Sequence, residues 1–322
     1  MRVSVAMTTY NGEKHLKEQL MSFLEQTRLP DELVVSDDSS NDKTIEILNK
    51  FKEKASFEVK ININQTNIGF TKNFEKAINL CTGDLIFISD HDDVWYKNKI
   101  EKMTEYISSD EKAYMAMNDC EIADSKMNPT GLSKINQVVN YQGTIEGFIP
   151  GCCSVIRSKY KSLLFPFSER MSYDSWISFI GINTNSRIIL KETLQLYRRY
   201  ETNTTNHPVN SVYKIPIWKR YFKDLLKFFS TKRNMEKRDY YLDKINAANE
   251  LLTRINSLEE KTEESDFKEN LKRMKKNLLN NAERFEVIDE LLALPIFTKF
   301  IKSFFKLIHG KILIKDLLFV NF

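Results

Sequence analysis

The stretch Gly83-Asp84-Leu85-Ile86-Phe87-Ile88-Ser89-Asp90-His91-Asp92-Asp93-Val94-Trp95 is the part of the chain from which its architecture can best be inferred. Residues Leu85 to Ser89 form a short, nearly all-apolar run, which is typical of a strand buried on both faces. Asp90, Asp92 and Asp93 follow where this strand ends, and three neighbouring carboxylates repel one another unless a cation neutralises them. Oxygen ligands of this kind suit Mg²⁺ or Mn²⁺. The stretch therefore predicts a strand that ends in a divalent-metal site, with a solvated acidic turn before a helix as the alternative.

Strand and helix patterns alternate four times in the first half of the chain. Such alternation predicts a parallel sheet covered by helices, with right-handed crossovers. Gly83, just after a helix, is expected to supply a left-handed stop. The predicted strands cover residues 3–7, 33–35, 59–63, 85–89 and 114–117, and the helices between the first four carry apolar stripes within 16–24, 45–51 and 74–81.

Three polar clusters follow strands of this sheet, namely Thr8–Asn11, Asp37–Asp38 and Asp90–Asp93. Ligands of open α/β sheets bind beyond the carboxyl ends of the strands, so these clusters are expected to share one edge. The chain has neither a Gly-x-Gly-x-x-Gly nor a P-loop motif that would cradle phosphates. A metal on the aspartates after the fourth strand could instead bridge the pyrophosphate of a nucleotide, while the Asp37–Asp38 loop takes the base or ribose.

Composition and length narrow the class of protein. The chain has 322 residues, of which 42% are hydrophobic and 29% charged, with a net charge of +4. This predicts a globular part of roughly 200 residues with an appendage, and it gives no case for nucleic-acid binding. Four cysteines lack metal-ligand spacing, and two of them are adjacent, which fits a reducing cytosol. The N-terminus lacks the apolar core of a secretory signal, and no apolar run approaches the roughly 20 residues that span a bilayer. We therefore expect the protein on the cytoplasmic side of the membrane.

Three motifs, at residues 3–12, 36–44 and 83–95, resemble those of the family-2 glycosyltransferases of the GT-A fold in order, spacing and type. The likeness is greatest to bacterial rhamnosyltransferase-like members, whose DxD segment reads Ser-Asp-x-Asp-Asp-x-Trp. The resemblance implies an α/β, doubly wound, mostly parallel GT-A sheet followed by a helical C-terminal region. The implied domains are a catalytic domain at 1–206, with a nucleotide-sugar-binding half at 1–118 and an acceptor-side half at 119–206, and a helical region at 207–322.

The same resemblance assigns roles to individual residues. Asp174, within Tyr173-Asp174-Ser175-Trp176, would be the catalytic base, and Asp92 would be the main ligand of a Mn²⁺ or Mg²⁺ ion, together with Asp90. The donor-nucleotide candidates are Thr8, Tyr10, Asn11, Asp38, Asn67 and Asp90. The candidates on the diphosphate and acceptor side are Gly151, Cys152, Trp176, Arg198, Arg199 and Asn203.

Two residues depart from the family pattern. Tyr200 stands where the family usually has histidine, and Ser39 replaces the usual glycine of an Asp-Asp-Gly-Ser turn. If that turn demands a positive φ, Ser39 carries strain of order 1 kcal/mol. Consecutive arginines after a strand usually point to opposite faces, so at most one of Arg198 and Arg199 is expected to reach the site.

The C-terminal third changes in character. Residues 218–229 mix aromatic and basic side chains, and Tyr241, Ile245, Ala248, Leu252 and Ile255 form a helical stripe that could pack on the catalytic domain or on a partner helix. Residues 295–308 are short, aromatic and basic, which fits a helix in the membrane interface, although docking on the protein's own core explains the apolar side equally well.

The leading hypothesis is an inverting, metal-dependent glycosyltransferase that uses a dTDP- or UDP-linked sugar, plausibly dTDP-rhamnose. Its acceptor would be a growing surface polysaccharide or a lipid-linked glycan, and the enzyme could lie peripherally at the inner face of the cell membrane. Two alternatives stay open. In a haloacid-dehalogenase-like phosphohydrolase, Asp90 would be the nucleophile and Asp92 the acid. The second alternative is a non-catalytic, membrane-associated scaffold with a degenerate transferase domain, which would not need to keep its catalytic acids.

Overall fold

The computed structural model describes residues 1–142, 144–200, 208–216 and 232–292. Contacts divide the chain into two units. The first contains Met1–Ile182 and Ser186–Ile215, and the second contains Asn183–Asn185 and Pro216–Phe322. Asn203 and the segments 218–229 and 295–308, which were singled out above, lie outside the described residues.

The first half of the first unit has the alternating strands and helices that the sequence predicts. Its elements are β1 (Val3–Thr9), α1 (Leu16–Leu24), β2 (Glu32–Asp37), α2 (Thr44–Lys52), β3 (Glu58–Ile63), α3 (Phe70–Leu80) and β4 (Leu85–Ser89). The four strands are parallel in the order β3-β2-β1-β4. Val5 of β1 pairs with Leu33 on one side and with Phe87 on the other, and all three are fully buried. The apolar runs therefore form the centre of the sheet.

The second half of this unit extends the same sheet with mixed strand directions. Its elements are β5 (Val94–Trp95), α4 (Lys99–Ser108), β6 (Met115–Ala123), β7 (Pro129–Ser133), α5 (Lys134–Gln142), β8 (Ser154–Arg157), α6 (Lys161–Leu164), α7 (Tyr173–Asn183) and β9 (Arg187–Arg198). The sheet continues from β4 through β8, β6 and β9 to β5, while β7 pairs with β6. Strand β8 is antiparallel to both neighbours, whereas β6 and β9 are parallel. The predicted fold class, a mostly parallel α/β sheet of the GT-A type, is confirmed.

A buried carboxylate joins the strands at the amino end of the sheet. Glu32 of β2 accepts hydrogen bonds from Ser4 Oγ at 2.5 Å, from Lys60 Nζ at 2.7 Å and from the Thr82 backbone N–H at 2.5 Å. Burial alone would raise the pKa of Glu32, but these bonds outweigh it and hold the pKa at about 2. A Cβ on Gly83 would lie 2.8 Å from Ser4 N, so this glycine is required by close packing. The predicted left-handed stop at Gly83 is wrong, because its φ is not positive.

The described part of the second unit is mainly two long helices, α8 (Lys232–Lys261) and α9 (Ser265–Leu292), which pack against each other. Tyr241, Ala248 and Ile255 of the predicted stripe are buried, and Leu251 is buried where Leu252 was expected. The ring of Tyr241 lies 6.0 Å from that of Phe285 on α9. The helical C-terminal region is thus confirmed for the residues described. Within these residues, no helix combines the length and apolarity that crossing a membrane requires.

Candidate active site

The loops at the carboxyl edge of the sheet enclose a cavity of about 810 Å³. The structure brings most of the predicted site residues to its wall, although they come from distant parts of the chain. Those that line it are Thr8, Tyr10, Asn11, Asp38, Asn67, Asp90, Asp92, Gly151, Cys152, Asp174, Arg198 and Arg199. The convergence of strand-end loops follows from the parallel order of β2, β1 and β4.

Trp176 is the described candidate that the structure does not place at this cavity. Its side chain is fully buried, and its Nε1–H donates to the Leu164 carbonyl at 2.9 Å. Two residues along a helix separate side chains by about 200°, so Trp176 points away from the face of α7 that carries Asp174. Its place on the acceptor side is therefore corrected to a place in the core.

Asp38 holds a neighbouring loop of the cavity wall in place through hydrogen bonds. Its Oδ1 accepts hydrogen bonds from Ile68 N at 2.8 Å and Asn64 Nδ2 at 2.9 Å, and its Oδ2 accepts one from Gly69 N at 2.9 Å. Gly69 has a φ of +84°, a conformation that glycine adopts without steric cost. The Asp38 carboxylate thus fixes the position of Asn67–Gly69, the segment that leads into α3.

The turn after β2 has the strain that its sequence predicts. Ser39 has a φ of +67°, in the left-handed region that the usual glycine would occupy freely. Asp37 holds the turn by accepting hydrogen bonds from the Ser40 backbone at 2.8 Å and the Ser40 hydroxyl at 2.6 Å. Asn11 Oδ1 in turn accepts from Asn41 N at 3.0 Å. Asn11 therefore stabilises the loop beside the cavity.

Asp90, Asp93 and Cys152 form a cluster in which potential ligand atoms lie within 4.8 Å of one another. We call this group the acid–thiol cluster. Burial, followed by the charge of the neighbouring Asp92, raises the pKa of Asp93 to about 7. The pKa of Asp90 is raised well above its usual range by burial and by the charges of Asp93, Asp92 and Asp174. Two carboxyl groups and a thiol at this spacing fit a divalent cation, because a cation would relieve the repulsion.

The predicted ligand Asp92 has a different environment from Asp93. Its Oδ2 accepts a hydrogen bond from the Tyr200 hydroxyl at 2.8 Å. Burial, followed by the charge of Asp92, raises the pKa of Tyr200, so the phenol keeps its proton and remains a donor. The ring of Tyr200 lies 5.4 Å from that of His15, another residue of the cavity wall. The tyrosine that replaces the family histidine therefore orients Asp92.

The two consecutive arginines have different surroundings. Arg198 is 2% exposed, and its guanidinium donates to the Asp92 carbonyl at 2.7 Å, to the Ser125 carbonyl at 2.9 Å and to Glu18. These bonds tie the loop after β4 to α1. Arg199 lies on the cavity wall with its guanidinium carbon 5.7 Å from the centre of the Tyr197 ring. Arg198 is thus engaged by protein acceptors, and both arginines lie on the cavity wall.

Asp174 lies in the first turn of α7. Its Oδ1 accepts hydrogen bonds from Ser172 Oγ at 2.5 Å and from the Ser175 backbone at 2.8 Å. Burial raises the pKa of Asp174, and these two bonds offset part of the increase. The adjacent Tyr173 stacks on Phe74 with ring centres 4.0 Å apart. A Cβ on Gly151 would lie 2.7 Å from Tyr173 Cζ, so only glycine lets the turn at Gly151–Cys153 approach α7 this closely.

Several residues of the cavity wall escaped the sequence analysis. Phe74 was interpreted as part of a buried helical stripe, and Phe70, which is 51% exposed, was not considered. A signal was available in the two aromatics one helical turn apart at the start of α3, directly after the predicted edge loop. The wall residues that were missed include Lys14, His15, Phe70, Asn73, Phe74, Ser172, Tyr173 and Tyr197.

Residues 4–164, half of the chain, match the family model described as glycosyl transferase family 2. This chain belongs to glycosyl transferase family 2. Membership confirms the family that the motifs indicate and identifies the protein as a transferase enzyme. It argues against the haloacid-dehalogenase-like phosphohydrolase, which belongs to a different family.

Characterised relatives and solved structures agree with this family. The dTDP-rhamnosyl transferase RfbG of Shigella flexneri is 29% identical over 222 residues, which covers 61% of this chain and 72% of the relative. The UDP-Glc:alpha-D-GlcNAc-diphosphoundecaprenol beta-1,3-glucosyltransferase WfgD of Escherichia coli is 26% identical over 209 residues, covering 64% of this chain and 80% of the relative. The crystal structure of S. aureus TarS 1-349 in complex with UDP superposes with a TM-score of 0.53 at 16% identity, covering 100% of this chain and 90% of that one. At this identity the TarS structure supports the fold alone.

Proposed function

We propose that this family-2 glycosyltransferase moves a sugar from a nucleotide-diphosphate donor to a hydroxyl of a bacterial surface polysaccharide or lipid-linked glycan, with inversion at the anomeric carbon. The observation that carries the proposal is the meeting of three elements at one cavity. These elements are the Asp38 loop, the acid–thiol cluster and the carboxylate of Asp174. Each element suits one part of the reaction, in this order: the nucleotide of the donor, its diphosphate and the acceptor hydroxyl.

Asp174 is proposed as the general base. Inverting transfer is a single displacement, in which the acceptor oxygen attacks the anomeric carbon as the bond to the diphosphate breaks. A carboxylate that accepts the hydroxyl proton suffices for this step. Burial raises the pKa of Asp174, which makes its carboxylate a better proton acceptor than that of an exposed aspartate. The bond from Ser172 leaves the second carboxylate oxygen to face the acceptor.

The diphosphate is proposed to lie near Asp92, Asp90 and Arg199. Asp92 and Asp90 would hold a Mn²⁺ or Mg²⁺ ion, and of these two Asp90 belongs to the acid–thiol cluster. Such an ion supplies charge stabilisation for the leaving diphosphate. Asp92 is oriented for this by Tyr200, and Arg199 adds positive charge at the wall. Asn203 is proposed for the same region on the strength of the family motif.

The base and ribose are proposed to lie against Thr8, Tyr10 and the loop that Asp38 and Asn67 form. Tyr10 is 49% exposed at the cavity, so its ring is available for stacking on a base. The named relatives use dTDP-rhamnose and UDP-glucose, and TarS binds UDP and UDP-GlcNAc in its crystal structures. We propose a dTDP- or UDP-linked donor, with rhamnose as the first sugar to test.

Two broader proposals concern the whole chain. The catalytic domain is proposed to cover residues 1–206, with donor and acceptor halves that meet near residue 118, and residues 207–322 are proposed as a helical region. The basic aromatic segment at 295–308 suggests peripheral attachment to the inner face of the cell membrane, where a lipid-linked acceptor would lie.

The test is calorimetric titration of UDP and dTDP into the purified chain with and without Mn²⁺, on the wild type and on Asp92→Asn. We expect nucleotide affinity that increases with Mn²⁺ in the wild type and loses this increase in the variant. Release of nucleotide diphosphate from dTDP-rhamnose, UDP-glucose and UDP-GlcNAc would then identify the donor. A wild type that binds neither nucleotide would contradict the proposal.

A further inference from the structure

Lys99, the first residue of α4, is an unusual feature of the molecule. Its side chain is 1% exposed, whereas lysine is almost never fully buried. Its Nζ lies 3.9 Å from the centre of the Trp95 ring and donates to the Cys152 carbonyl at 2.9 Å and to Gln195 Oε1. Burying an ammonium costs several kcal/mol unless its donors are satisfied, so these contacts indicate a specific use for the charge.

The contact with Lys99 determines which way the amide of Gln195 faces. An ammonium has three donors and no acceptor, so Gln195 must present Oε1 to it. The Nε2 group therefore points the other way, where it donates to Asp93 Oδ2 at 2.9 Å and lies 3.4 Å from Cys152 Sγ. Gln195 is fully buried, so it cannot exchange these partners for water. If the amide turned over, a carbonyl oxygen would face the Asp93 carboxylate.

Lys99 consequently connects both sides of the cavity. Through Gln195 on β9 it orients Asp93, whose Oδ1 also accepts the Arg198 backbone N–H at 3.2 Å. Through the Cys152 carbonyl it holds the turn at Gly151–Cys153, which packs against the start of α7. Directly or through Gln195, the Lys99 ammonium thus links three elements: the loop after β4, strand β9 and the turn that precedes β8.

We propose that Lys99 is a positioning residue of the transfer reaction. Acting through Gln195 and the Cys152 carbonyl, it keeps the acid–thiol cluster in the arrangement that binds a divalent cation with the donor diphosphate. The inference rests on the proposed function, since the site it organises is the proposed diphosphate site. Removing a group that orients a metal ligand typically lowers metal affinity 10- to 100-fold.

Two variants test the chain of contacts from Lys99 through Gln195 to Asp93, which we call the relay. Lys99→Met keeps the length of the side chain and removes its charge and donors. Gln195→Leu keeps an apolar side chain of similar size and removes both the acceptor for Lys99 and the donor that faces Asp93. Because Gln195→Leu leaves Lys99 in place, it remains informative if Lys99→Met does not fold.

Lys134→Met is the matched control. Lys134 is also buried, at 4% exposed, and its Nζ also donates to one backbone carbonyl, that of Val209, and to one amide oxygen, that of Asn210. None of these partners belongs to the acid–thiol cluster. Both methionine variants therefore lose a buried lysine, whereas only Lys99→Met breaks the relay.

The measurement is Mn²⁺ affinity in the presence of UDP, by electron paramagnetic resonance of free Mn²⁺, together with calorimetry of UDP without metal. We expect Mn²⁺ affinity to fall about 10- to 100-fold in Lys99→Met and Gln195→Leu, with metal-free UDP affinity unchanged within about twofold because the Asp38 loop is intact. The double variant should bind Mn²⁺ no more weakly than the worse single variant, since both changes break one chain of contacts.

Three results would overturn the inference. These are wild-type Mn²⁺ affinity in both relay variants, an equal loss in Lys134→Met, and fully additive losses in the double variant. Absence of Mn²⁺-dependent UDP binding in the wild type itself would instead overturn the proposed function, and this inference with it. The two failures are therefore distinguished by the wild-type titration.

Discussion

Replacing Glu32 by glutamine is predicted to destabilise the first unit and to make it less sensitive to acid. The Glu32 carboxylate is fully buried and links β1, β2, β3 and the entry to β4 through its bonds to Ser4, Lys60 and Thr82. These bonds hold its pKa at about 2, against an ordinary value of 4.5. A glutamine side chain is uncharged, so it lacks the ionic attraction to the Lys60 ammonium. The stabilisation that comes from this charge is therefore lost.

The size of the effect follows from the pKa. The difference between 4.5 and about 2 corresponds to about 3 kcal/mol at about 1.4 kcal/mol for each unit. Lys60 is 35% exposed, and solvent screening of that partner reduces the expected loss to about 2 kcal/mol. Because the folded-state pKa lies below the unfolded one, the contribution is fully present above about pH 4.5 and is lost as the pH falls towards 2.

The assay is urea unfolding of the wild type and Glu32→Gln between pH 7 and pH 3, followed by near-ultraviolet circular dichroism. We expect the two free energies of unfolding to differ by about 2 kcal/mol at pH 7 and by less than half of that at pH 3. Glu58→Gln on the neighbouring strand is the control. Its carboxylate is 48% exposed and pairs with Arg2 and Lys60 at the surface, so its removal should cost less than about 1 kcal/mol. A difference between wild type and Glu32→Gln that stays constant across this pH range would refute the reasoning.

Four further substitutions test the site and the loops that support it. Asp174→Asn should lower kcat by about 10²- to 10⁴-fold while nucleotide affinity by calorimetry stays unchanged, and a parallel loss of affinity would contradict a role as base. Tyr200→Phe should raise the Mn²⁺ concentration for half-maximal turnover about tenfold through loss of the bond to Asp92, whereas an unaltered metal response would show that the bond does not matter. Gly151→Ala should destabilise the fold by about 1–3 kcal/mol in thermal unfolding because the new methyl group overlaps Tyr173, and wild-type stability would be the contrary result. Ser39→Gly should relieve the positive φ and stabilise by up to about 1 kcal/mol in the same assay, unlike the loss expected if the serine hydroxyl were needed.

The part of the fold that the sequence predicted best is the part built from local patterns. Strand β4 and its acids could be identified because an apolar run of five residues and a following acidic turn are both contiguous. The mixed half of the sheet was harder to predict. Strand β8 lies between β4 and β6 in antiparallel orientation, and nothing local in Ser154–Arg157 specifies those partners. Pairing of that kind depends on contacts between residues that are far apart in the chain.

The candidate site divides in the same way. Asp38 could be placed at the cavity from its motif, but its hydrogen bonds to Ile68 and Gly69 depend on a loop thirty residues away. Trp176 was misplaced because a motif gives proximity along the chain, while the helix rotates the side chain into the core.

Lys99 shows why a sequence pattern alone misses this kind of residue. In sequence, a lysine is expected to face solvent, although Lys99 stands four residues before Met103 and therefore at the margin of the buried face of α4. Its burial depends on Gln195, which lies 96 residues further along the chain, on the strand β9 that pairs with β5. A buried charge needs partners that only the assembled sheet provides, and it is stable only where all of them meet. Residues that join distant elements near a catalytic cavity are therefore the ones that a structure reveals and a motif cannot.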